Sequence, residues 1–210
     1  MGGETMIKEL LTVLIGCASY AVLRYAVFGD VSPLHIPGYI MNKSIAMAAV
    51  LSLFLSAFQG GSARRERSRF WSKACWQLLF VHILLSLAIL SKGYYPKFFA
   101  GERMNLTGEA MLLLGALAAY CFRSLAADRI GEAARLKLTL FACALVAGHL
   151  FVMGYAGWLQ VWKWHGGLPP ITLLCFVLAL LSLLCFLKQG AAVSGALPDE
   201  DAVLPERGEG

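Results

Sequence analysis

His82 and His149 are the only acidic or basic side chains that lie deep inside long apolar stretches of this 210-residue chain. Each stands 12 or 13 residues after the predicted start of its apolar run, so both are expected at the same depth. Ionisable groups are unfavourable inside a bilayer, and one that occurs there is by default a candidate for function. Because neutral imidazole is a common metal ligand, the pair predicts a site with two ligands on two helices.

The composition indicates that these stretches are membrane-spanning helices. Apolar residues make up 59% of the chain, charged residues 15%, and the mean hydropathy is +0.67. A soluble domain has roughly 25% charged residues, so a disordered protein, a disulfide scaffold and a typical cytosolic enzyme are excluded. Six runs match the ~20 residues that cross a bilayer as a helix: 7–28, 39–58, 70–91, 106–126, 136–157 and 169–187. The chain is therefore predicted to be an all-α polytopic membrane protein, a six-transmembrane-helix bundle.

The basic residues predict the orientation of the bundle. Twelve lysines and arginines fall on the side that holds both termini, including the cluster from Arg64 to Lys73, and six fall on the other side. The positive-inside rule places both termini in the cytoplasm. The net charge of +5 thus reflects membrane loops and not a nucleic-acid surface. The pattern is typical of a bacterial inner (plasma) membrane protein, with Arg24 and Lys43 near span ends, where such side chains extend to the interface.

Two further predictions concern domains and thiols. Residues 1–189 are expected to form the transmembrane domain, and residues 190–210 a disordered, acidic cytoplasmic tail. All six cysteines lie in apolar runs without a C-x-x-C pair. They are predicted to be free, apolar thiols and not disulfides or zinc ligands.

Two imidazoles at one level on two helices suit the opposite axial positions of a single haem. Helical spacing places a set of small and apolar residues beside them: Cys75, Leu78, Leu79 and Ser86 with His82, and Ala142, Leu145, Val146, Val152 and Met153 with His149. Gly148 is expected to leave room for the flat macrocycle. Haem binding between His82 and His149, with Ser86 and Gly148 in the wall, is the main hypothesis.

Trp76 and His165 are secondary candidates. Trp76 lies about 9 Å along the helix from His82 and could shorten the path of an electron towards the inner surface, with ordinary packing as the alternative. His165, in an outer connection, is a candidate for an alternative ligand or an outer metal contact.

Other interpretations of the deep histidines stay open at this point. A membrane histidine can form a hydrogen bond that joins two helices, or belong to a proton or metal-ion pathway. With purely structural histidines, the chain would be a cofactor-free permease or scaffold.

Six spans with one histidine in the third and another in the fifth resemble the ferric reductase-like transmembrane family. This family includes the membrane domains of ferric reductases and NADPH oxidases, the six-helix epithelial metalloreductases, and the haem subunit of the periplasmic methionine sulfoxide reductase system. The resemblance covers roughly residues 40–188. Besides His82 and His149 it rests on Asn42-Lys43 and on the outer segments 94–99, 105–109 and 166–170.

The resemblance implies one haem b, held by His82 and His149, and electron transfer across or within the membrane to a periplasmic or extracellular acceptor. Members with two haems carry a second histidine on each of these helices, which this chain does not. The residues after Lys188 are too few for a flavin and nucleotide domain, so none is expected there. The expected donor is therefore external, either a quinol or a flavoprotein, and the chain is expected to act as the membrane subunit of an oxidoreductase.

Overall fold

Six long helices make up most of the computed structural model, which describes residues 2–60, 65–127 and 130–194. Their bounds are α1 Gly2–Val22, α2 Ile36–Phe58, α3 Arg65–Ala88, α4 Leu106–Ala126, α5 Glu132–Trp158 and α6 Ile171–Ser194. Each belongs to a segment long and apolar enough to cross a membrane. The predicted all-α, six-helix membrane protein is confirmed.

Several helix ends differ from the sequence prediction by three to seven residues. α3 begins at Arg65, five residues before the predicted start, because charged side chains at a helix end can extend into water while the backbone stays helical. α6 continues to Ser194, so the predicted boundary after residue 189 lies inside a helix. The rest of the predicted acidic tail, residues 195–210, and Arg64 of the basic cluster lie outside the described residues. All six cysteines are free, as predicted.

The helices pack unequally, and this leaves a space inside the bundle. α2 packs against α1, α3 and α6, while α5 packs against α4 and α6. Small buried residues of α2, Ala48, Ala49, Ser52, Ser56 and Ala57, allow this close approach. In contrast, α3 touches α4 only lightly, and the described parts of α3 and α5 make few or no close backbone contacts with each other.

Polar contacts define the two ends of the bundle. At the termini end, where α1 begins and α6 ends, Arg67 pairs with Glu9 at 2.6 Å, and the Nε2 of Gln189 donates to the carbonyl of Ala57 at 2.5 Å. At the opposite end, the hairpin end, β1 Phe99–Ala100 pairs antiparallel with β2 Arg103–Met104.

A π-helical turn, Leu23–Val27, prolongs α1 towards the hairpin end and carries Arg24. Arg24 is buried and donates to the carbonyl of Leu168, while the hydroxyl of Tyr20 donates to Pro169 O at 2.7 Å. These bonds satisfy carbonyls just before α6, so the expectation that Arg24 extends to the interface is wrong. Gly166, at φ 56°, is needed in this connection because a Cβ there would lie 2.5 Å from the ring of Phe28.

Asn105 fixes the start of α4 relative to the hairpin-end loop. Its Oδ1 accepts from Gly108 N at 3.0 Å, which caps the helix, and its Nδ2 donates to Lys97 O at 2.9 Å. The cap satisfies a backbone donor that the first turn of a helix leaves unpaired.

Asn105→Ala removes both bonds and is expected to lower the free energy of unfolding by about 1–2 kcal/mol. Asn105→Asp keeps the capping oxygen and is expected to lose less. Reversible unfolding in mixed micelles measures both variants. An Asn105→Ala protein as stable as wild type would show that this cap contributes nothing.

Candidate functional site

One cavity inside the bundle is lined by both predicted histidines. It has a volume of about 270 Å³ and lies among α2, α3, α4 and α5, with Ile171 and Cys175 of α6 in its wall. For comparison, an apolar cavity of ~150 Å³ binds benzene. His82 of α3 and His149 of α5 therefore border a common space.

His82 is held by an amide and a hydroxyl. Its Nδ1 lies 2.7 Å from Asn42 Oδ1, the Nδ2 of Asn42 donates to Tyr95 OH at 2.9 Å, and the hydroxyl of Ser86 donates to Asn42 Oδ1 at 3.1 Å. The amide nitrogen is therefore directed at Tyr95 and the amide oxygen at the imidazole. Because this oxygen can only accept, the proton of His82 lies on Nδ1.

His149 is held by a backbone carbonyl of the neighbouring helix. Its Nδ1 lies 2.8 Å from Met111 O in α4, which also can only accept. Gly115, one turn further along α4, makes this approach possible. A Cβ at Gly115 would lie 3.1 Å from Nδ1 and 3.2 Å from Cε1 of His149.

Both imidazoles thus carry their proton on Nδ1 and a lone pair on Nε2. Within the described residues, neither Nε2 has a hydrogen-bond partner. Histidines that bind metals usually have this arrangement, since an oxygen that accepts from one ring nitrogen fixes the tautomer and leaves the other nitrogen as ligand. The site therefore brings two oriented imidazoles, on two helices, to one cavity.

Small residues give the cavity its room. They lie on α2 and α4: Ala46, Ala49, Gly115, Ala116, Ala118 and Ala119. Of the residues predicted to share faces with the histidines, five line the cavity and four do not: Cys75, Leu79, Ser86, Val146 and Met153 are in its wall, whereas Leu78, Ala142, Leu145 and Val152 are not.

The cavity opens to the side of the bundle between α3 and α4. Leu87 of α3 is 56% exposed and Leu112 of α4 is 41% exposed, and both also line the cavity. This side faces lipid in a membrane, so an apolar molecule can reach the cavity from the bilayer.

Lys43 lies in the cavity wall, seven residues after the first residue of α2. Its Nζ is 5.2 Å from the ring centroid of Tyr39 and 5.4 Å from that of Tyr95. Both rings lie towards the hairpin end of α2, the nearer end of the helix, and they attract the charge of Lys43 in that direction. Two effects lower the pKa of Lys97 in the hairpin-end loop to about 8: first its partial burial, and second the positive charge of Lys43.

The two histidines lie at matched positions in their helices, but not midway. Each stands 17 residues, about 25 Å, after the first residue of its helix. His82 is six residues and His149 nine residues from the last, which corresponds to about 9 and 14 Å. Because both helices begin before the predicted runs do, the histidines lie farther along their helices from the termini end than the 12 or 13 residues that the runs predict.

Three other predicted site residues lie outside the cavity wall. Gly148 faces Leu114, and a Cβ there would make an ordinary 3.7 Å contact. Trp76 packs beside Phe80, with ring centroids 6.2 Å apart. His165 lies 3.5 Å from a carboxylate oxygen of Asp30. The described residues contain no group of three or more His, Cys, Asp or Glu that could hold a metal ion.

Sequence reasoning did not assign roles to Asn42, Tyr95 and Gly115, which shape the site. The sequence could have indicated the role of Asn42, because an amide within an apolar run needs polar partners. Nothing in the sequence indicates the roles of Gly115 and Tyr95, since these depend on how α4 and the hairpin-end loop meet the other helices.

Comparisons with protein-family models and with curated proteins find no match to this chain.

The tautomers can be measured directly. In histidine-labelled protein in nanodiscs at neutral pH, ¹⁵N NMR is expected to show both cavity imidazoles protonated on Nδ1. Asn42→Leu removes the acceptor of His82 and is expected to change the ¹⁵N shifts of His82 but not those of His149. A wild-type cavity histidine protonated on Nε2 instead would contradict the geometry.

Proposed function

We propose that this chain is a membrane haem-b protein that transfers electrons to an external acceptor, with one haem between His82 and His149. The observation that carries the proposal is the matched pair of Nε2 atoms, both free of hydrogen bonds to the described residues, on opposite helices of one cavity. The residues fit the group: two neutral imidazoles, oriented by oxygens, in a wall of small and apolar side chains. Bound there, haem supplies one-electron redox chemistry.

The protein's own residues hold and shield the site. His82 and His149 would hold the iron, and Asn42 and Met111 O fix their tautomers. Iron held by two protein nitrogens would transfer electrons and would not bind substrate. Aliphatic side chains such as Leu79 and Leu150 exclude water.

The position of the site favours a lipid-soluble donor. The histidines lie about 25 Å along their helices from the termini end, which the positive-inside rule assigns to the cytoplasm. This is a long path for a cytosolic flavoprotein. A quinol in the bilayer can approach through the opening between α3 and α4. An acceptor outside the membrane would meet the hairpin end, which is nearer to both histidines.

The competing function is a cofactor-free permease or scaffold with structural histidines. A structural histidine joins two helices by a hydrogen bond, and each imidazole here does make one. That role gives no reason for both remaining nitrogens to border one cavity. A transporter site is usually built from interrupted helices, whereas α3 and α5 are continuous.

The four histidines of the chain provide a matched test. Purified protein, expressed with ample haem, is expected to contain one haem b per chain by the pyridine haemochrome assay. His82→Ala and His149→Ala are each expected to lose most of it, because each removes an axial ligand. His35→Ala and His165→Ala, outside the cavity wall, are expected to keep it.

A wild-type protein without haem would overturn the proposal in favour of the cofactor-free bundle. Equal loss in all four variants would mean that haem content follows folding and not ligation.

Gly115 and Gly148 offer a second matched pair. Gly115→Ala places a Cβ against the imidazole of His149 and is expected to speed haem release by roughly tenfold, as for other residues that orient a ligand. Gly148→Ala makes only an ordinary contact with Leu114 and is expected to release haem at the wild-type rate. Transfer of haem to apomyoglobin, followed by absorbance, measures both. Similar rates for the two variants would contradict the role of Gly115.

A further inference from the structure

Lys43 is a cation in the cavity wall without an anionic partner. No carboxylate among the described residues lines the cavity, and no described ion pair includes Lys43. Its resolved contacts are with the rings of Tyr39 and Tyr95. Aromatic rings attract the charge, but no described oxygen accepts a hydrogen bond from Nζ.

The position of Lys43 inside a membrane-spanning helix makes this arrangement informative. A charged group there is usually paired or functional, because burying it without a partner is unfavourable. Lys43 directly follows Asn42, the residue that orients His82. Tyr95 links the two, since its hydroxyl accepts from Asn42 and its ring lies near Lys43. The ammonium therefore belongs to the same polar unit as the histidine support.

The polar side chains of the wall are unevenly placed. Lys43, Asn42 and Ser86 lie towards the hairpin end of their helices, and Tyr95 lies in the hairpin-end loop. Towards the termini end the wall consists of Leu53, Cys75, Ala118 and Phe122. An occupant with one anionic edge and an apolar body is thus accepted in one orientation only, with its anion at the hairpin end.

We propose that Lys43 binds a carboxylate of the molecule in the cavity and thereby sets its orientation. This inference rests on the proposed function, and the carboxylate is then a propionate of haem. The ammonium is a positioning group: it provides three N–H donors and a charge, while the two histidines hold the iron.

The test varies the lysine and the carboxylates together. Haem-free wild-type, Lys43→Met and Lys43→Arg proteins in nanodiscs are titrated with protohaem and with its dimethyl ester, which has no ionisable carboxylate. Soret absorbance gives the affinity of each combination. Wild type is expected to prefer protohaem over the diester by roughly tenfold or more. Lys43→Met is expected to lose this preference, and Lys43→Arg to retain it.

The outcomes separate this inference from the proposed function. If wild type binds protohaem and the diester equally well, the lysine–carboxylate contact is excluded while haem binding stands, and this result needs no variant to fold. If Lys43→Met weakens both ligands by the same factor, the lysine is structural. If wild type binds neither, the haem proposal itself fails and this inference fails with it.

Discussion

The structure depends on the hydrogen-bonding needs of an imidazole in the water-free interior of a membrane. With no water available, each ring nitrogen must find a partner in the protein or in a ligand. The protein supplies one for Nδ1 of His82 and one for Nδ1 of His149, from an amide oxygen and a backbone carbonyl. Both Nε2 atoms lack such a partner among the described residues. Fixing the tautomers and the ring positions before a ligand arrives reduces the cost of binding it.

The cavity follows from the way the helices pack. Small residues bring α2 close to α3 and α6, and α5 packs against α4 and α6, while α3 and α5 make few or no close backbone contacts and both line the cavity. Gly115 lets the carbonyl of Met111 meet His149. The cavity opens towards lipid at the side of the bundle, and its polar side chains lie near the hairpin end. This arrangement suits an amphipathic occupant that enters from the bilayer.

Hydropathy was sufficient to predict the six helices, because each span must be apolar along most of its length. It also singled out His82 and His149, because ionisable residues are so rare at this depth. Gly148 illustrates the limit: sequence places it beside His149, but its open side faces Leu114, and Gly115 on another helix makes the room. Likewise, the position of the Lys43 ammonium depends on Tyr95, which is 52 residues away in the chain and adjacent only once the loop folds. Contacts between helices carry no local sequence signal.

The central claim is that both Nε2 atoms bind one iron, and the coordination state of that iron tests it most directly. Resonance Raman spectra of the purified wild-type protein, oxidised and then reduced with dithionite, report coordination number and spin state. Six-coordinate, low-spin iron in both oxidation states is the predicted result. Colourless protein, or five-coordinate high-spin iron held by a single histidine, would contradict the account.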